Sequence, residues 1–179
     1  MKFTREIERF LGDGYRMSFG TFIVPNTLSL SREQYKWLSK KLRKLLRRRP
    51  FKGRVFAAVA VIDSDFNSDS QDWHVHVHVI FIYDRCIPQR EIEDAWRDLV
   101  SSELNYVQSD VPGRVKPPCI VWIKKVELED LRQTVNYLFK PQTFDNADAF
   151  AEYDCAARNI RLVHSYGALR GRNGRSRKA

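Results

Sequence analysis

The sequence predicts an α+β fold: an antiparallel β-sheet with helices packed on one face and an open face left for an active site. Three observations lead there. First, His74-Val75-His76-Val77-His78-Val79 alternates imidazole and valine strictly, which is the period of a β-strand, and β-branched valine favours that state. Successive strand side chains point to opposite faces, so the valines form a surface for helices to cover and the histidines form a polar one. Second, segments of helical period alternate with segments of strand character in the order β-α-β-β-α-β-α, and two strands joined only by a short polar loop pair antiparallel. Third, 179 residues with 43% hydrophobic side chains suffice for one core.

The elements follow in order. Arg16 to Val24 reads as a strand with Met17, Phe19, Thr21 and Ile23 on one face, closed by Pro25-Asn26. Ser31 caps a helix running to about Arg49, with Trp37, Leu38, Leu42, Leu45 and Leu46 on its apolar side. Its other side carries Lys36, Lys40, Arg43, Lys44 and Arg47. Pro50 to Gly53 breaks this helix, and Val55 to Ile62 reads as a buried strand followed by a polar loop, Asp63 to Gln71. The histidine strand then continues to Tyr83. Pro88 opens a second helix, Gln89 to about Leu104, with Ile92, Ala95, Trp96, Leu99 and Val100 as its stripe. Asn105 to Pro118 reads as loop and Cys119 to Val126 as a strand. A third helix runs from Leu128 to about Lys140, with Leu128, Leu131, Val135 and Leu138 buried, and Pro141 ends it. Gln142 to Asp154 reads as a lid or short helix, and Ile160 to Ser165 as a last strand. One domain spans 1–169, and 170–179 is a basic tail expected to be disordered in isolation.

Lys and Arg number 31 against 22 Asp and Glu, a net charge of +9, and the pI is near 9.6. That balance points to a polyanionic partner, nucleic acid before membrane. No apolar run approaches a membrane span, and residues 1–6 do not lead into a signal-peptide core, so a soluble cytoplasmic protein is expected. Cys86, Cys119 and Cys155 are too sparse for a disulfide framework or a thiolate zinc site. The cationic side of the first helix (Lys36, Lys40, Arg43, Lys44, Arg47), together with Arg170 and Arg172 of the tail, makes a candidate phosphate-binding surface.

Two groups of residues carry possible chemistry. Same-face neighbours on a strand lie about 6.8 Å apart, so an adjacent histidine pair can converge on one ion, whereas His74 and His78 are about twice as far apart. Imidazole with a carboxylate suits a divalent metal. The other candidate is Tyr137, which lies off the apolar stripe of the third helix, on the side of Asp130, Gln133 and Lys140. A phenol so placed is free to act as a nucleophile, with Lys140 nearby to hold a phosphate.

Taken together, three segments resemble the HUH endonucleases, and within them the single-tyrosine rolling-circle replication initiators, the Rep proteins. They are Met17 to Thr27 (MSFGTFIVPNT), His74 to Phe81 (HVHVHVIF) and Val135 to Pro141 (VNYLFKP). Lys52-Gly53 and Arg161 to Arg170 (RLVHSYGALR) are weaker matches, and the resemblance spans roughly residues 15–170. It implies a metal-dependent, site-specific nick in single-stranded DNA. His76 and His78 would be metal ligands for Mn²⁺ or Mg²⁺, and Tyr137 the nucleophile that forms a 5′-phosphotyrosine, assisted by Lys140. It also implies single-stranded or hairpin origin DNA of a plasmid, phage or mobile element as partner, with a separate helicase and polymerase.

The family's usual third ligand, a glutamate in the preceding strand, falls on Val59 by ungapped counting. Asp63, on the same face, or His74 can take its place. Gln133 stands where some relatives carry a glutamate that activates water. The same HVHVHVIF run also fits histidine triad nucleotide hydrolases, although a strand and polar loop precede it and about 100 residues follow it. A non-catalytic nucleic-acid-binding module on the same fold is the third reading, and it has no need of Tyr137.

Overall fold

The computed structural model describes residues 2–107 and 120–170. The elements run α1 (Lys2–Gly12), β1 (Arg16–Ile23), α2 (Arg32–Arg47), β2 (Val55–Asn67), β3 (Asp72–Tyr83), α3 (Gln89–Val107), β4 (Val121–Val126), α4 (Leu131–Leu138), α5 (Ala147–Ala157) and β5 (Val163–Gly167). The strands form one antiparallel sheet in the order β4-β1-β3-β2-β5, which puts the histidine strand β3 in the middle.

Alternation sorts the sheet into two faces. Val75, Val77, Val79 and Phe81 of β3 join Phe22, Ala58 and Ala60 in the larger core, under Leu38, Leu42 and Leu45 of α2 and Trp96, Leu99 and Val100 of α3. Each of these leucines contributes roughly 1.5–3 kcal/mol by leaving water. Ser31 caps α2 as expected: its hydroxyl accepts from the Gln34 amide, and the Gln34 side chain accepts from the Ser31 amide. Lys41 of α2 departs from the helix pattern, because it is buried, donates to the Leu99 carbonyl of α3 and lies against the Trp37 ring. α5 closes the same face, and Glu152 accepts from the indole N–H of Trp73 and the amide of Leu30.

The second face is only half open. Ile80 and Ile82 share the histidines' side, and with Met17, Phe19, Ala57 and Val59 they are buried by Ile7 and Phe10 of α1 and Leu131, Val135 and Leu138 of α4. The expectation of helices on one face is corrected accordingly: helices pack on both, and only the histidine end of the second face is bare. α1 was not expected, although Phe3, Ile7, Phe10 and Leu11 recur at helical spacing.

Other boundaries shift for identifiable reasons. β2 continues through the expected polar loop to Asn67, because every residue from Ala57 onward pairs with β3, down to Asn67 opposite Asp72. α4 is shorter than expected, and Leu128 is 59% exposed in the turn before it rather than part of the buried stripe. β5 begins three residues later than expected and ends two later, and β4 begins at Val121. Residues 105–107 belong to α3 instead of a loop, and the rest of that expected loop, with Cys119, lies outside the described residues, as do Arg172 and the tail from 171. Among the described residues no helix is long and apolar enough to cross a membrane.

Candidate active site

The register of β2 on β3 sets Asp63 directly opposite His76 and Asp65 opposite His74, while Thr21 of β1 faces His78 from the other side. All six side chains lie on the same face. His76 Nε2 and His78 Nε2 are 2.9 Å apart, and Asp63 Oδ2 lies 3.7 Å from the first and 3.8 Å from the second. A point equidistant from these three atoms is about 2.0 Å from each, the usual length of a bond from nitrogen or oxygen to a small divalent ion.

The outer nitrogens fix the rings. His76 Nδ1 lies 3.3 Å from the His74 carbonyl, which can only accept, and His78 Nδ1 lies 3.0 Å from Thr21 Oγ1. With protons on both Nδ1 atoms, both Nε2 lone pairs turn inward. Two bare nitrogens at 2.9 Å repel unless a proton or cation lies between them. The donor set therefore fits a metal ion, with Asp63, His76 and His78 as its buried ligands.

Burial keeps His74 and His78 neutral. It lowers His78 to about 3, with help from His76, Lys140 and His74. It lowers His74 as well, with His76 adding to the effect against Asp65, Asp72 and Asp63. It raises the Asp63 carboxyl above its ordinary 3.8, with Asp65 adding to the rise while His76, Lys140 and the Ser64 amide oppose it. A dication would reverse that penalty. His74 belongs to a second, overlapping cluster with Asp65 and His76, half-buried and nearer solvent.

α4 brings Tyr137 to this triad. The ring is 48% exposed, with its centroid 5.2 Å from that of His78 and 5.7 Å from that of Phe19. Lys140 lies just past the helix, and its Nζ is 3.9 Å from Asp63 Oδ2 and 5.4 Å from the Tyr137 ring centre. Tyr137 and the three histidines line a cavity of about 600 Å³, whose walls also include Asp65, Trp122, Lys124, Asp130, Gln133 and Thr134. Trp122, opposite Thr21 on β1, is 52% exposed there. Asp65, Thr21 and Trp122 did not enter the sequence reading as site residues, although strand parity places each on the histidine face.

The expected site residues thus fall into two groups. His74, His76, His78, Asp63, Tyr137 and Lys140 converge. The cationic side chains of α2 (Lys36, Lys40, Arg43, Lys44, Arg47) are exposed but belong to a helix on the valine face, and Arg170 lies beside Arg43 and Arg47. The convergent set can bind a cation, offer a phenol to an electrophile next to it and place an ammonium between them. No family model matches the chain, and neither the curated proteins nor the solved structures compared with it give a match.

Proposed function

We propose that this protein is a metal-dependent, site-specific endonuclease of single-stranded DNA that nicks and rejoins strands with Tyr137 as nucleophile, initiating rolling-circle replication of a plasmid, phage or mobile element. The observation that carries this reading is the placement of an exposed tyrosine ring 5.2 Å from a ligand ring of a two-histidine, one-aspartate cluster. A structural tyrosine has no need of that neighbour.

A divalent ion held by Asp63, His76 and His78, Mn²⁺ or Mg²⁺, supplies Lewis-acid polarisation of a phosphate oxygen. Tyr137 Oη attacks phosphorus, a tyrosyl O–P bond forms and the P–O3′ bond breaks. The phenol proton passes to the water that reaches this exposed ring, and the departing 3′ oxygen takes up a proton. Lys140 holds the anionic phosphate near both groups. Attack of a 3′-hydroxyl on the phosphotyrosine reverses these steps and joins strands. Gln133, which lines the cavity, cannot act as a general base toward water, which favours joining over hydrolysis. Trp122 offers an unpaired base a stacking surface, supporting a single-stranded substrate.

The test is incubation with labelled single-stranded DNA and Mn²⁺ or Mg²⁺, followed by a denaturing gel. A protein–DNA adduct mapped by mass spectrometry to the peptide containing Tyr137, absent in Tyr137→Phe and in EDTA, is the expected result. An adduct on a histidine would instead indicate a histidine triad hydrolase. No adduct on any strand tested would indicate a binding module.

A further inference from the structure

A second cavity, of about 640 Å³, lies at the β5 edge of the sheet and is lined by Arg43 and Arg47 of α2, Arg161 before β5, and Arg170 after it, with His164 and Tyr166 between them. His164 and Tyr166 pair with Ala60 and Ala58, which belong to the valine face, so this cavity lies on the side of the sheet away from the metal ligands. We propose that these four arginines form a seat for a backbone phosphate of nucleic acid, separate from the histidine site. It shares with the proposed function only the class of ligand.

A solvated cationic surface would intersperse its charges with acids, as in the pairs Arg54–Glu91 and Arg97–Asp94. Among the described residues, none of these four arginines has a carboxylate partner. The helix dipole accounts for Arg47 in the last turn of α2, but not for Arg161 and Arg170, which come from outside that helix. Arg161 is partly fixed, its Nε donating to the Val163 carbonyl at 2.8 Å. Planar guanidinium forks converging from three segments suit phosphate oxygens.

The other side chains agree. Burial raises the Tyr166 hydroxyl to about 12, against the pull of Arg43, Arg161 and Arg47, so it keeps its proton. It is buried without a hydrogen-bond partner. His164 is held neutral by burial and by Arg161 and Arg43, and its Nε2 lies 3.0 Å from Ser39 Oγ. The positive charge of the cavity is therefore that of the arginines.

A polymer is favoured over a free phosphate because the charge continues beyond the cavity. Lys36, Lys40, Arg43 and Arg47 follow one another at intervals of four, three and four residues, a stripe about 16 Å long on α2. In the sequence, Arg170 is followed by Arg172, Arg175, Arg177 and Lys178.

The test is fluorescence anisotropy of a labelled single-stranded DNA of about 30 nucleotides in EDTA, over a range of salt. A failure of the catalytic reading leaves this measurement untouched. Arg43→Gln with Arg47→Gln, and separately Arg161→Gln with Arg170→Gln, should each weaken binding about ten-fold and lower the slope of log K against log salt by about one. The four changes together should still lower the slope by only about one in total, because the same single phosphate contact is lost in every case. A slope that falls in proportion to the charges removed, or equally in the control Arg85→Gln with Arg90→Gln, would overturn the seat. Displacement of DNA by submillimolar inorganic phosphate at constant ionic strength would overturn the polymer and assign the cavity to a small phosphate ligand. Circular dichroism of each variant checks that it is folded.

Discussion

Asp63 is the side chain whose cost to the fold is plainest. It is buried, its carboxyl is raised above 3.8 chiefly by that burial, and it faces the imidazoles of His76 and His78. A carboxyl whose folded pKa is raised contributes stability below its unfolded pKa, and that contribution is lost as pH rises through the folded value. At neutral pH the ionised form is therefore a burden that a dication relieves. Asp63→Asn should leave the metal-free protein as stable or more stable by about 1 kcal/mol, while abolishing the metal response. In thermal melts, Mn²⁺ at a hundred times its Kd should stabilise the wild type by about 2.7 kcal/mol and leave the variant unmoved. A variant destabilised in EDTA would show that the carboxylate is structural. Asp63 was legible because parity from Val59 puts it on the ligand face. Asp65 was not, because the run Asp63-Ser64-Asp65 looks like the end of a strand until its pairing with β3 is known. Lys41 was illegible for a related reason, since helical period cannot show that a lysine finds a carbonyl on another helix.

At the scale of elements, the strands and helices with a clear period were readable, and the pieces set by long-range pairing were not. The histidine strand and α3 show their faces in their own residues, whereas the position of β5 is fixed by its pairing with β2. Gly167 marks that dependence. Its φ is +60°, and a Cβ built there would lie 2.1 Å from the Phe56 carbonyl oxygen. Gly167→Ala should therefore destabilise the protein by at least about 2 kcal/mol through backbone displacement, read as a lowered denaturant midpoint. Gly53→Ala, at φ +80° with open space around the added carbon, should cost less. Equal losses at the two positions would mean that strain alone, not the β2–β5 approach, sets the requirement.

For the whole molecule, acid is the condition to examine. His74, His78 and His164 are all held below their ordinary 6.5 by burial. Histidines with lowered folded pKa values contribute stability above 6.5 that is lost as pH falls below it, because the unfolded chain takes up protons first. The denaturant midpoint in EDTA should fall between pH 7.5 and pH 5.0. Asp63 works in the opposite sense, gaining as it protonates, so Asp63→Asn should steepen the fall. A midpoint independent of pH over that interval would contradict the neutral state of the three imidazoles.

The central place of β3 has a consequence for timing. Hydrogen-bonded to β1 on one side and β2 on the other, its amides can exchange with deuterium only when the sheet itself opens, on the slow timescale of global unfolding. Tyr137 rides on an eight-residue helix, whose amides open by local fraying. Hydrogen exchange should therefore find residues 75–81 among the slowest in the chain and residues 131–138 orders of magnitude faster. The ligands would then be a fixed anvil and the phenol a moving hammer, free to withdraw with its cargo while the ion's seat keeps its shape.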